Sequence, residues 1–536
     1  MLDILIRNGT VIDGTGNPPY PGTVAIEGDR FARAGPGAQA ARTLDATGKY
    51  VCPGFIDVHS HSDRTILANP TAQSTIRQGI TTEIVGNCGS SLAPLTDASR
   101  GREGTRPRTE KALRALGYEG PVDWSTTGEL FERVASIGTS CNLGWLVGHN
   151  TVRTAAGVLG SGPSEEQMSA MEAYVREAME AGALGLSTGL EFDPGRRAST
   201  DEVIRLAQVA AEKSGIYASH IRNRAKHLQA AIEEFLEIVE YSTLNGQVSH
   251  LNVRYNTGEA PDAWERAVAT LEQAQERGLD VAADCTPYPD GGGNPAAILP
   301  DWVTVEGPAQ AAEYLSDPAV RADLRTQCDR YWAFIHRGDF HRVRISRSDR
   351  SPELVGKNLL QIAGLWGVEP WDVLFDLLAR SFRGEDRIGY IGRLFTEEHV
   401  AANVQHPLFS LGVDAATVSL DGPTGKTYMH PLPYAGMIHY LTYWVREKNV
   451  LPLGWAVRKM TGQPAGRLGL RERGQIRPGW YADVVVFDYE ALDDVSTVEQ
   501  PLAYCKGVEY VLVNGQTVID GGEHTGARPG RNLTSG

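Results

Sequence analysis

The chain has 536 residues, 41% of them hydrophobic, and a net charge of −15. That is ample apolar material for a large core, of roughly two to four domains or one barrel with additions. The acidic balance argues against nucleic-acid binding, which wants a basic face; no apolar run reaches transmembrane length; and six cysteines do not make a disulfide scaffold in a chain this long.

The opening MLDILIRNGT lacks a charged region followed by a long apolar stretch, so no secretory signal is expected and the cytosol is the default location, with thiols reduced. Residues 2–48 read as short strands with tight turns, and Asn8-Gly9 reads as a hairpin. The far end echoes this in Tyr481–Phe487 and Val508–Ile519. Two β-rich ends around a long mixed middle predict one small domain built from both termini, residues 1–50 and 470–536.

Next comes Pro53-Gly-Phe-Ile-Asp-Val-His-Ser-His-Ser-Asp63. Phe55, Ile56 and Val58 read as a short buried strand ending in His59-x-His61, with Asp57 and Asp63 on either side. Residues i and i+2 of a strand share a face, so both imidazoles can reach one cation. Strands are expected at about 53–58, 80–86, 142–148, 183–187, 216–219, 246–249, 280–284 and 408–413. Helices are expected over Pro163–Ala181, Thr200–Ser214, Ala225–Tyr241 and Asp262–Arg277. Eight strands with intervening helices predict an α/β fold, a (β/α)8 barrel over residues 51–469. A doubly wound sheet is the alternative, but no Gly-rich fingerprint follows the first strand.

Two connections are too long for bare loops, 89–140 and 285–407. The first contains the basic run Arg100–Lys111, read as a solvated loop. The second is expected to hold helices at Ala309–Trp332 and Trp371–Ser381, a strand at Arg342–Ser346 and a flexible bend at Gly291-Gly-Gly-Asn294. Long connections at the C-terminal face of a barrel usually shape a substrate pocket.

The strand ends carry the chemistry. Strand one gives His59 and His61, strand two Gly86-Asn-Cys88-Gly, strand five Ser219-His220, strand six Ser249-His250 and strand eight Asp414. Singly, Cys88 reads as a small buried hydrophobe and Asp414 as a helix cap. Together, four imidazoles, a thiol and a carboxylate at one barrel mouth form a ligand set for zinc.

These motifs resemble the amidohydrolase superfamily, and more narrowly its D-aminoacylase (N-acyl-D-amino-acid deacylase) branch, in which a cysteine after strand two is a zinc ligand. The tail, Ala456–Ala465 followed by Arg467-Leu-Gly-Leu470 and Ala482-Asp483, is similar too. The resemblance implies a barrel with a small β-sandwich from both termini. It implies one tight zinc on Cys88, His220 and His250, and a weaker or optional second metal near His59 and His61, with Asp414 as a further metal-site residue. Such a metal lowers the pKa of water and polarises a carbonyl. Asp414 is then expected to take the water proton and deliver it to the departing nitrogen, with Asn87 or strand-end backbone orienting the water.

Substrate recognition departs from the family pattern. Leu432 stands where an arginine after His-Pro is usual, Asn252 where a lysine is frequent and Phe192 where a tyrosine is common; Arg224 replaces an acid, while Tyr288 matches. Without the arginine fork, bidentate capture of a carboxylate is weakened, which predicts a neutral or more aromatic amide, with Trp302, Tyr428 and Tyr434 in or near the variable loops. Arg222, Arg224 or Arg254 is a candidate to restore the charge, and His149 completes the substrate-facing candidates. The resulting expectation is a zinc-dependent amidohydrolase of an N-acyl compound. The alternatives are a related enzyme acting on a cyclic amide, carbamate or lactone, and a non-catalytic binding barrel. A deaminase is disfavoured by Asn223 where a glutamate is usual. The expected partner is a small molecule, with no nucleic acid or membrane; a homo-oligomer is left open.

Overall fold

The computed structural model describes residues 2–99, 102–160, 162–426 and 429–534. Eight strands, β1 (Phe55–Asp57), β2 (Ile80–Val85), β3 (Asn142–Gly148), β4 (Gly185–Gly189), β5 (Ile216–His220), β6 (Asn245–Val248), β7 (Val281–Cys285) and β8 (Phe409–Leu411), pair in sequence order and all in parallel. Just beyond β1 and β8 a parallel bridge, Ser60 to Ala415, completes the ring. There the Asp414 N–H donates to the His59 carbonyl at 2.7 Å and the His61 N–H to the Ala415 carbonyl at 2.8 Å. The seam of the barrel therefore fixes three candidate ligands relative to one another.

Strands covered on both faces are rich in apolar residues, and the polar side chains that interrupt them are buried and bonded inside the barrel, as with Glu83 of β2, which accepts from Ser60, and Gln247 of β6, which donates to Asp284. The four expected helices are present as α1 (Glu165–Glu180), α2 (Thr200–Ala211), α3 (Leu228–Ser242) and α4 (Ala263–Glu276). In α3 the buried Leu228, Ile232, Phe235 and Val239 recur at helical spacing and form the inward stripe. Serine caps start α1 and α2: the Ser164 hydroxyl accepts from the Gln167 N–H and the Ser199 hydroxyl from the Glu202 N–H.

Both chain ends build one nine-stranded sheet, in which Tyr50–Pro53 pairs antiparallel with Val484–Phe487. It has its own core, including Ile4, Ile26, Phe31, Val484 and Leu512. The last short strand, Asn532–Leu533, leaves that sheet and pairs with β3.

Four local expectations change. Asn8-Gly9 is not a hairpin: Leu2–Val11 is one strand, with the register shifting between Ile6 and Gly9, and Asn8 has φ +62°. An Asn in the left-handed region serves a bulge as readily as a turn. Arg100 and Gly101 lie outside the described residues, but Thr105–Lys111 is helical rather than loop, the start of a helix over Thr105–Ala115. Ala309–Trp332 is two helices, Pro308–Tyr314 and Pro318–Gln327, with Asp317 capping the proline-initiated second one. Asp290–Gly293 is a strand, not a flexible bend; a Cβ at Gly293 would lie 2.3 Å from the Trp332 ring.

Candidate metal centre and active-site cavity

Three of the polar strand-end residues sit in left-handed backbone: Cys88 at φ +53°, His250 at +36° and Asp414 at +53°. Such conformations cost about 1–3 kcal/mol each for non-glycine residues and persist where the surroundings over-determine them. Around Cys88 the surroundings are glycines. A Cβ on Gly86, itself at φ +82°, would lie 2.1 Å from the Leu146 carbonyl oxygen. The Asn87 amide nitrogen donates to the Ile84 carbonyl at 2.8 Å, so that side chain ties the loop down.

The side chains converge. Cys88 Sγ lies 3.3 Å from His59 Nε2, 3.2 Å from His250 Nε2 and 3.8 Å from His220 Nδ1. Asp414 Oδ1 lies 3.2 Å from His61 Nε2 and 3.5 Å from His59 Nε2. His59 thus belongs to two overlapping ligand groups, one with Cys88 and His250 and one with His61 and Asp414.

The electrostatics suit a divalent cation. Burial opposes imidazolium, holding His59 at about 3 and His220 at about 4, and His250 also well below its ordinary value. All three rings are neutral at ordinary pH, with lone pairs free to ligate. Burial pushes the Cys88 thiol up, so its proton must leave when a metal arrives. Burial also pushes at Asp414, but the His61 hydrogen bond and the neighbouring imidazoles outweigh it and hold the carboxyl at about 2. A soft thiolate with imidazoles beside a carboxylate fits zinc.

A further layer orients the rings. Glu191 Oε2 meets His220 Nε2 at 2.8 Å, which leaves Nδ1 to face Cys88. Arg254 clamps Glu191 with two bonds of 2.8 Å. Burial opposes the Glu191 charge, yet Arg254 overrides it and keeps the carboxyl below its usual range. Asp284 accepts the His250 N–H at 2.7 Å and stands 3.6 Å from His59 Nδ1. Burial lifts its pKa to about 7. Asp57 accepts the N–H groups of His59 and Val413 at 3.0 and 2.9 Å, a second tie across the seam. Sequence reasoning missed Glu191 and Asp284. Asp284 was findable as a lone acid inside the apolar run of β7; Glu191, one residue past a Ser-Thr-Gly-Leu turn, looks like an ordinary loop acid.

A cavity of about 720 Å³ opens above this cluster, touched by His61, Cys88, His220, His250 and Asp414. An amidohydrolase-family model matches residues 42–325 and 418–519. The N-acyl-D-glutamate deacylase of Alcaligenes xylosoxydans xylosoxydans is 33% identical over 538 residues, covering 99% of this chain and 96% of that protein.

The chain belongs to the amidohydrolase family.

Within it the likeness is to the D-aminoacylase branch. The N-acyl-D-glutamate deacylase from Bordetella bronchiseptica, solved with zinc and a phosphonate inhibitor, superposes with a TM-score of 0.79 at 32% identity, over 99% of both chains. A D-aminoacylase studied for its binuclear metal centre superposes with a TM-score of 0.80 at 29% identity, over 100% of both. The stretch 326–417, unmatched by the family model, contains much of the long insertion and Asp414.

Among the substrate candidates of this amidohydrolase, Phe192 and Leu432 line the cavity. Phe192 lies against the His220 ring, centroids 4.4 Å apart. Tyr288 lies behind the wall, stacked on His439 at 3.9 Å and edge-on to the cavity-lining His430. Three other candidates lie elsewhere. The Asn252 amide pairs both ways with the Thr286 backbone. Arg222 is held by Glu234 and by the carbonyls of Arg196 and Ala198. His149 is buried against Glu202, at 2.8 Å, in a cluster with Arg153. None of the three lines the cavity. The aromatic walls come from Phe192, Tyr331, Tyr390 and Phe395 instead of Trp302, which is 40% exposed, or Tyr434, which is buried; Tyr428 lies outside the described residues.

Proposed function

We propose that this amidohydrolase is a zinc-dependent deacylase that hydrolyses the amide bond of N-acyl-D-amino acids or closely related N-acyl compounds. The observation that carries the reading is the Asp414 carboxylate, ionised and 3.2 Å from His61 at the floor of the cavity, beside the thiol–imidazole cluster. Cys88, His220 and His250 would hold one metal tightly, with His59, His61 and Asp414 as the weaker second position. A bound zinc supplies activated water near neutral pH and polarises the carbonyl.

The remaining work falls to the chain. Asp414 takes a proton from the attacking water and returns it to the amide nitrogen, because an amine anion is a poor leaving group. Glu191, braced by Arg254, keeps His220 in one tautomer and orientation. Phe192 and Leu432 present apolar walls that exclude bulk water. The relatives support the metal and the substrate class: one is named for N-acyl-D-glutamate and another for a binuclear centre with one-metal activation and second-metal attenuation.

The test is metal analysis of the purified protein together with hydrolysis of matched N-acyl-D and N-acyl-L amino acids. About one tightly held zinc per chain and turnover of the D series are expected. Turnover confined to a cyclic amide, carbamate or lactone would move the substrate class while leaving the metal chemistry in place.

A further inference from the structure

Arg224, four residues past His220, is buried at 6% exposure and lines the cavity. Its Nη1 donates to the His250 carbonyl at 2.6 Å. Its Nε has no partner, and among the described residues no carboxylate pairs with its guanidinium. Nearby arginines are committed. Arg196 pairs with Asp193 at 2.8 Å and Asp301 at 2.7 Å, Arg222 with Glu234 at 2.7 Å and Arg254 with Glu191 at 2.8 Å. A guanidinium stays protonated at neutral pH, so Arg224 is a buried cation.

A buried charge without a counter-ion is costly, and such groups are normally paired. Where such a guanidinium lines a cavity, the counter-ion can arrive with the ligand. The position is specific. In an N-acyl-amino acid the carboxylate and the amide nitrogen share one carbon, so a carboxylate anchor must stand beside the reacting centre. Arg224 does, because its fork is tied to the backbone of His250, and His250 Nε2 lies 3.2 Å from Cys88 Sγ. Guanidinium–carboxylate pairing is charge-assisted and geometrically selective.

We propose that Arg224 anchors the α-carboxylate of the substrate beside the metal centre, replacing the donors that Leu432, Asn252 and Phe192 do not supply. This rests on the deacylase reading above, and it reverses the sequence-based expectation of a neutral substrate. That expectation counted donors lost at three positions, whereas the charge enters from the loop after β5.

The experiment measures binding and turnover separately. In zinc-loaded Asp414→Asn protein, calorimetry compares N-acetyl-D-leucine with N-acetyl-D-leucinamide, which differ only in the carboxylate. The acid is expected to bind at least about 100-fold more tightly, in line with loss of charge-assisted bonds. Adding Arg224→Gln is expected to collapse that ratio to near one, and Arg224→Lys to keep part of it. A structural role would weaken both ligands together and leave the ratio standing, which overturns the proposal. So does equal binding of acid and amide before Arg224 is changed. An intact, Arg224-dependent ratio in a protein whose parent turns over no N-acyl-D-amino acid upholds the anchor and overturns the deacylase reading instead.

Discussion

Glu191→Gln isolates the brace behind the metal centre. The side chain is 8% exposed and makes three bonds of 2.8 Å, one to His220 Nε2 and two to Arg254. The substitution keeps the shape and removes the charge, leaving Arg254 buried and uncompensated. Removing one member of a buried pair costs about 3–5 kcal/mol. For 536 residues, at about 2.1 cal/mol/K each, the unfolding entropy is about 1.1 kcal/mol/K, so the apo protein should melt about 3–4 °C lower. Loss of the brace on a ligand should weaken zinc binding by about 10–100-fold, read by chelator competition. The double variant Glu191→Gln/Arg254→Met removes the orphan charge; it should recover much of the melting temperature and none of the zinc affinity. The acid dependence follows from the sign of the shift. Glu191 is held below its ordinary 4.5, so its contribution is full above that value and fades as pH falls through the folded one. Wild type and variant should therefore converge in acid. An unchanged zinc affinity in Glu191→Gln refutes the idea that this carboxylate sets the His220 tautomer.

Cys88→Ser should lose most of the metal, measured by elemental analysis after gel filtration; a variant with full metal and full activity would remove Cys88 from the ligand set. Zinc binding to apo protein at pH 6 should release about one proton per metal, from the thiol that burial keeps protonated and none from the already neutral rings, as read by calorimetry in buffers of different ionisation enthalpy. Asp414→Asn should keep tightly bound metal and lose about 10²–10⁴-fold in kcat, since an amide cannot take the water proton; near-normal turnover would move the proton transfer to another group. Gly86→Ala should fail to accumulate as folded protein, or should lose metal, because its Cβ would lie 2.1 Å from a backbone oxygen; full zinc content in that variant would show that the loop can shift.

The barrel was legible because short strand-like segments alternate with helical ones, and several of them run into a polar residue. His220 ends β5, and Cys88, His250 and Asp414 follow β2, β6 and β8 within three residues; sequential parallel pairing then carries all of them to one mouth. What was not legible is the layer behind them. Glu191 and Arg254 are each unremarkable loop charges until the fold sets them 2.8 Å apart with no water between. Arg222 and Arg254 were both candidates for a free charge, and only contacts across the fold show that Glu234 and Glu191 already occupy them.

If Arg224 is the anchor proposed above, the sequence-based expectation of a neutral substrate gives way for a related reason. A (β/α)8 mouth is assembled from eight loops, and a cation needed at one point can be delivered by any loop that reaches it. Counting donors at aligned positions tests only the loops that relatives use. The candidate ligands are constrained differently. Cys88, His250 and Asp414 each hold a strained left-handed backbone, at a combined cost of about 3–9 kcal/mol. That strain is over-determined locally: by glycines around Cys88, by the Asp284 carboxylate on the His250 N–H and by the seam bond from Asp414 to His59. Moving a ligand to another loop would mean rebuilding that support, whereas moving a guanidinium requires only a long side chain and a cavity wall. The metal-centre residues are therefore the part of such a site that a motif can report, and the substrate anchor is the part that has to be found by asking which buried charge is left unpaired.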